Sequence, residues 1–189
     1  MEVRALLDVL HVAERLKDEL RHCDTSKGRR ESVAEHSWRI ALMALFMQDE
    51  FPELDMNKVI RMCLIHDLGE CFTGDIPTFL KSKEDEKKED EALAAWVRSL
   101  PEPYCTELAD LYAEMNALHT GEARLYKTLD KLEAVIQHNE ADISTWMPLE
   151  YDLQLSYGKE STAFSEYTRR LKERCNEISR EKIERAEKP

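Results

Sequence analysis

At 189 residues, 42% apolar and 35% charged with only five glycines, the chain has the composition of one helical globular domain, which excludes a disordered or fibrous polymer. Its net charge of −12 excludes nucleic-acid polymers and anionic membranes as partners, but not a small phosphorylated ligand, since a bound cation reverses the field locally. The five cysteines (Cys23, Cys63, Cys71, Cys105, Cys175) include no C-x-x-C, and no long apolar run or cleavable leader is present, so reduced thiols in a soluble cytoplasmic protein are expected.

Leu6, Val9, Leu10, Ala13, Leu16 and Leu20 predict a first helix within residues 3–20. The segment from Arg21 to Arg30 contains Gly28 and small polar residues and reads as a loop, either a solvated linker or, given its basic character, an anion-binding one. Ser32-Val33-Ala34-Glu35 has the form of a capping box opening a second helix to about Glu50, with Ile40, Met43, Ala44 and Met47 on the face of His36. Pro52 ends it. Asp55 fits as the cap of a third helix, whose Val59, Met62, Cys63 and His66 share a face. Thr73-Gly74-Asp75-Ile76-Pro77 cannot continue that helix and reads as a turn.

Residues 82–100 predict a helix with a charged start and an apolar end, broken by Pro101-Glu102-Pro103. A short helix follows over 104–118, then a long one from Glu122 to about Asp142 with Leu125, Leu129, Leu132 and Ile136 as its stripe. Residues 143–160 lack periodicity and read as a long loop, with Ser161 as the cap of a final helix to about Arg185. Trp38, Trp96 and Trp146 are expected as core anchors, and His11, His119 and His138 as ordinary surface or core histidines. No stretch alternates with period two. The fold expected is all-α, a single domain over residues 1–189 with its core at about 5–140 and no required sheet.

The chemistry concentrates in a few positions. His66-Asp67 sits near the end of the third helical pattern, with Glu70 one turn on, and imidazole with carboxylate favours a divalent first-row metal. Asp130 lies beside the buried stripe of the long helix, where a charge needs a compensating cation. Lys127, three residues earlier, can supply it; so can a metal ion shared with His36, His66 and Asp67. Such a set would leave positions open for water and substrate, as catalytic sites require. Glu70 is either a helix-end carboxylate or a group that orients or deprotonates that water, and Asp75 is either a turn residue or a proton donor to a leaving group.

His36…His66-Asp67…Asp130 resembles the H…HD…D signature of the HD-domain metal-dependent phosphohydrolases. Glu31-Ser32-Val33-Ala34-Glu35-His36-Ser37, Ile65-His66-Asp67-Leu68-Gly69-Glu70, Thr73-Gly74-Asp75-Ile76-Pro77-Thr78 and Lys127-Thr128-Leu129-Asp130 narrow the resemblance to the 5′-deoxynucleotidase branch, over roughly residues 5–140. It implies a compact helical HD fold that hydrolyses deoxyribonucleoside 5′-monophosphates to deoxynucleoside and phosphate. It further implies that His36, His66, Asp67 and Asp130 hold one divalent cation (Co²⁺, Mn²⁺, Mg²⁺, Zn²⁺ or Fe²⁺). By the same match Arg21 pairs with the phosphate, Asp75, Ile76, Pro77 and Thr78 lie near the substrate, and the protein is a homodimer. Some members carry tryptophan after the arginine; this chain has His22, so the stacking contact differs. Arg29 and Arg30 compete with Arg21 for the phosphate. The rival readings are an HD enzyme for a triphosphate, an alarmone or a cyclic dinucleotide, and a non-catalytic module that binds metal or nucleotide to regulate a partner.

Overall fold

The computed structural model describes residues 1–187. The helices in chain order are α1 (Val3–Glu14), α2 (Val33–Phe46), α3 (Met56–Ile65), α4 (Glu70–Thr73), α5 (Lys83–Arg98), α6 (Tyr104–Ala117), α7 (Gly121–Glu140), α8 (Glu150–Ser156), α9 (Lys159–Thr162) and α10 (Glu166–Glu187). The segment expected as a loop before α2 is a small antiparallel hairpin, β1 (Leu20–Asp24) and β2 (Arg30–Ser32), turned at Gly28 with φ +76°. The fold is all-α apart from this hairpin.

Helices α2, α3 and α7 pack against one another and carry the site, and each begins on a side-chain cap. Ser32 Oγ accepts from the Glu35 amide at 3.3 Å while Glu35 Oε2 accepts from the Ser32 amide at 2.9 Å, so the capping box is complete. Asp55 caps α3 by accepting from the Lys58 amide at 3.1 Å, and Thr120 caps α7 through the Ala123 amide at 3.1 Å. From these starts the apolar stripes face one core: Ile40 and Ala44 of α2, Val59 and Met62 of α3, Leu125 and Leu129 of α7 are all wholly buried. Each large side chain among them contributes roughly 1.5–3 kcal/mol by leaving water. Ser32→Ala removes the cap where the hairpin enters α2, and a loss of about 1 kcal/mol in urea unfolding is expected. Unchanged stability would show that the cap contributes nothing.

Several sequence expectations change. Helix α1 stops at Glu14; Leu16 alone of its apolar series is buried, while Leu6 and Leu10 are about half exposed and Leu20 begins β1. Trp146 is a buried anchor, but Trp38 is 60% exposed on α2. The span 143–160 is not a loop: it holds a 3₁₀ turn at Ile143–Thr145 and helices α8 and α9. The final helix begins at Glu166, and its first turn is capped by Ser165, whose Oγ accepts from the Thr168 amide at 3.1 Å, rather than by Ser161.

Candidate metal centre and active site

Helix α3 ends at Ile65, and the carbonyls of a helix's last turn need donors. Tyr112 donates its hydroxyl to the Ile65 carbonyl at 2.6 Å, and His66 donates Nδ1–H to the Cys63 carbonyl at 2.9 Å. Satisfying the helix end thereby fixes the tautomer of His66 and leaves Nε2 facing inward. That atom is buried and has no hydrogen-bond partner. Asp67 Oδ2 lies 2.9 Å from it, close but not aligned as a hydrogen bond.

His36 is wholly buried on α2, with Nδ1 2.5 Å from Glu133 Oε2 and Nε2 3.2 Å from Asp130 Oδ1. Asp130 divides its two oxygens. Oδ2 takes the Lys127 ammonium at 2.8 Å, while Oδ1 faces His36 and lies 3.8 Å from His66 Nε2. Both origins foreseen for its compensating charge therefore have a place. Ligand atoms of His36, His66 and Asp67 fall within 4.8 Å of one another, and Asp130 joins through the two imidazoles.

Adjacent donors bound at about 2.0–2.2 Å to one ion are separated by about 3 Å. The spacings of 2.9 Å and 3.2 Å match, and the unaligned, partnerless Nε2 of His66 is what a ligand without its ion presents. The residues fit a divalent cation.

Two carboxylates held ionised suit a cation, which would displace a proton from His36. Burial and Arg21 oppose charge on His36, yet its bonds to Asp130 and Glu133 outweigh them and hold its pKa at about 9. Burial opposes ionisation of Asp67 and Asp130 as well, but His66 acting on the first and Lys127 acting on the second hold both below the usual carboxylate range. Glu70 goes the other way, pushed up to about 10 by burial and by Asp67 and Asp75. Burial also raises Asp75, with Arg21 opposing and Asp67 adding to the rise.

Asp67 and Asp130 line a cleft of about 330 Å³ together with Arg21, Glu70 and Asp75, with His36 and His66 behind them. Arg21 is mostly buried there, its Nη1 3.6 Å from Asp67 Oδ2 and its Nε 3.5 Å from Glu31 Oε2. Its two competitors are engaged elsewhere. Arg29 forks the exposed Glu35 at 2.5 and 2.8 Å, and Arg30 donates to the carbonyls of Arg21 and His22. Ile76, Pro77 and Thr78 line the cleft, as does His22, which meets Phe79 edge-on at 5.5 Å between ring centroids.

A family model for the HD domain matches residues 13–172. The chain belongs to the HD-domain family. Among curated proteins, this HD-domain chain is 34% identical to human 5′-deoxynucleotidase HDDC2 over 114 residues, 59% of the chain and 55% of that protein. It is 36% identical to the cattle protein of the same name over 112 residues, 58% and 54% of the two. The match thus spans about half the length of these curated relatives. Among solved structures, a predicted metal-dependent phosphohydrolase from Magnetospirillum magnetotacticum superposes with a TM-score of 0.79 at 29% identity, covering 97% of this chain and 94% of that one.

Within this HD domain several residues in the cleft or behind it escaped the sequence reading. Glu133 follows Asp130 by three residues on α7 and so shares its face, a spacing that could have revealed it. Lys81 and Lys131 bring positive charge to the cleft of a strongly acidic protein. Lys81 is held at 2.6 Å by Glu89 of α5, and α5 comes close because position 69 is glycine: a Cβ there would meet Glu89 at 2.7 Å. Helix α8 completes the wall with Glu150, Leu153, Gln154 and Tyr157 just beyond it. His138 is neither a free surface group nor an apolar core one; it donates to Glu150 Oε1 at 3.0 Å beside His22, whose Nε2 lies 3.1 Å from the same oxygen.

Proposed function

We propose that this chain is a metal-dependent phosphomonoesterase that hydrolyses deoxyribonucleoside 5′-monophosphates to deoxynucleoside and phosphate. The observation that supports the reading is the clustering of His36, His66, Asp67 and Asp130 beside a cleft that Asp67, Asp130 and Arg21 line. The names of the human and cattle relatives support the substrate class.

A divalent cation held by the four side chains would supply an acidified water and charge neutralisation at the phosphate. The chain's own groups do the rest. Arg21, whose guanidinium stays charged against burial through Asp67 and Asp130, offers a fork to the phosphate oxygens, and Lys81 adds a second positive charge. Glu70 Oε2 is buried without a hydrogen-bond partner, and a cation nearby would lower its raised pKa so that the carboxylate could take a proton from the attacking water. Asp75, its pKa raised by burial, carries a proton to the leaving 5′ oxygen or holds the sugar hydroxyl. Ile76, Pro77, Thr78 and His22 border the remaining volume, where sugar and base would lie. Positioning and charge stabilisation are what phosphoryl transfer chiefly needs.

A cytoplasmic setting belongs to the same reading and is supported by five free thiols; among the described residues no helix is long and apolar enough to cross a membrane. A homodimer is supported by α1, whose Val3, Leu6, Leu7 and Leu10 present an exposed apolar surface that a second copy would cover.

Phosphate release from a panel of dNMPs, NMPs and dNTPs with Co²⁺, Mn²⁺, Mg²⁺ or Zn²⁺ tests the reading. Turnover of dNMPs, abolished by a chelator and restored by metal, is expected. Hydrolysis of triphosphates alone would move the chain to another HD activity, and no hydrolysis with metal bound would make it a regulatory module.

A further inference from the structure

Behind the cation ligands, outside the lining of the cleft, a polar chain runs from wholly buried Glu133 out to half-exposed Glu140. Glu133 is wholly buried; Oε2 faces His36 Nδ1 at 2.5 Å, while Oε1 has no hydrogen-bond partner and sits 3.5 Å from Arg39 Nη1. Arg39 donates through Nη1 to Gln137 Oε1 at 2.5 Å and through Nη2 to Glu140 Oε1 at 2.6 Å. Gln137 donates in turn to the Asp24 carbonyl of β1 at 2.8 Å. Three residues earlier on that strand stands Arg21, which reaches back to Glu31, and Glu31 also accepts from the Cys23 thiol at 3.3 Å.

A buried carboxylate persists only when its charge is matched, and that match here spans two elements. Glu133, Gln137 and Glu140 lie on one helix, α7, and Arg39 stands one turn after His36 on α2. The ligand atoms of Glu31, His36 and Glu133 lie within 4.8 Å of one another, but the guanidinium groups of Arg21 and Arg39 already stand against those carboxylates, so no second cation is called for.

We propose that Glu133, Arg39 and Gln137 are positioning residues that lock the His36 ring and the Arg21-bearing strand to one another across α7, so that cation site and phosphate-binding arginine keep a fixed separation. The proposal rests on the metal-dependent reading above. Glu133 accepts the Nδ1 proton of His36, fixing the tautomer that turns Nε2 to the cation and raising its basicity. Gln137 sets the height of β1 and therefore the reach of Arg21.

The test uses the full chain, with Co²⁺ as probe, read by visible absorption and by competition with a chelator. Glu133→Gln keeps the shape but not the charge, and Co²⁺ affinity is expected to fall about tenfold; Glu133→Ala, losing both, is expected to lose up to about 100-fold. Gln137→Met is expected to raise KM for dAMP about fivefold while kcat and Co²⁺ affinity stay within about twofold of wild type, and Arg39→Gln to show both defects. Arg61→Gln, which breaks an exposed ion pair remote from the cleft, should change neither. A Glu133→Gln protein with wild-type Co²⁺ affinity overturns the lock on His36, and it decides the matter if the alanine variant does not fold. An unchanged KM in Gln137→Met overturns the lock on the strand. A wild-type chain that binds no Co²⁺ overturns the metal reading itself and the proposal with it.

Discussion

Asp130→Asn is expected to keep the fold and lose the cation, and with it turnover by at least about 10³-fold, equivalent to roughly 4 kcal/mol of barrier. The residue is placed by α7, whose neighbouring Leu129 is wholly buried, so an isosteric amide keeps the helix packed. What changes is charge. Oδ1 stands 3.2 Å from His36 Nε2 and 3.8 Å from His66 Nε2, an anionic oxygen facing both imidazoles. A neutral amide oxygen there is a far weaker partner for a divalent ion, and the Lys127 ammonium 2.8 Å away is left unneutralised beside the site, repelling it. Equilibrium dialysis with Co²⁺ and phosphate release from dAMP measure the two losses. Wild-type metal content with wild-type turnover would remove Asp130 from the centre and leave Lys127 as its only purpose.

Glu70→Gln separates chemistry from metal binding. Turnover is expected to drop about 10²- to 10³-fold while Co²⁺ affinity stays within about twofold of wild type, since one proton acceptor is lost and no ligand. Its Oε2 is buried and partnerless, and its carboxyl is pushed up to about 10 by burial and by Asp67 and Asp75, the profile of a group that exchanges a proton instead of forming a structural ion pair. A cation beside it would lower that pKa and favour the carboxylate form. Single-turnover phosphate release, paired with the Co²⁺ absorption spectrum, reads the two quantities independently. Unchanged turnover would leave Glu70 a buried carboxylate with no part in the reaction.

What the sequence revealed and what it concealed divide along physical lines. The caps of α2 and α3 were legible because Ser32, Glu35 and Asp55 act on amides within their own turn. The core stripes were legible because Ile40, Val59, Met62 and Leu129 are apolar and buried in the ordinary sense. The convergence of His36, His66, Asp67 and Asp130 was foreseen from motif order, and the geometry brings the four together. The hairpin was hidden because β1 reads Leu-Arg-His-Cys-Asp, with neither alternation nor β-branched residues, and its register shifts between Leu20 and Asp24. Helix α8 was hidden for a different reason: its buried residues are polar. Glu150 accepts from the Met147 amide, and Gln154 donates to the Val135 carbonyl. Helix α10 buries Thr168, Lys172, Cys175 and Ser179, a mostly polar stripe at helical spacing, with Lys172 donating to the Gln154 carbonyl. Hydrophobic periodicity is blind to a seam built from hydrogen bonds.

That seam has a consequence for how such a protein can diversify. The groups able to hold a cation stand between residues 36 and 130, while Glu150, Leu153, Gln154 and Tyr157, which stand along the same cavity, come from a later stretch docked by α10. Reactivity and part of the choice of guest are therefore written in separate paragraphs of the chain. Drift in the second can redraw what is admitted without disturbing the first, provided the docking contacts of α10 survive the change.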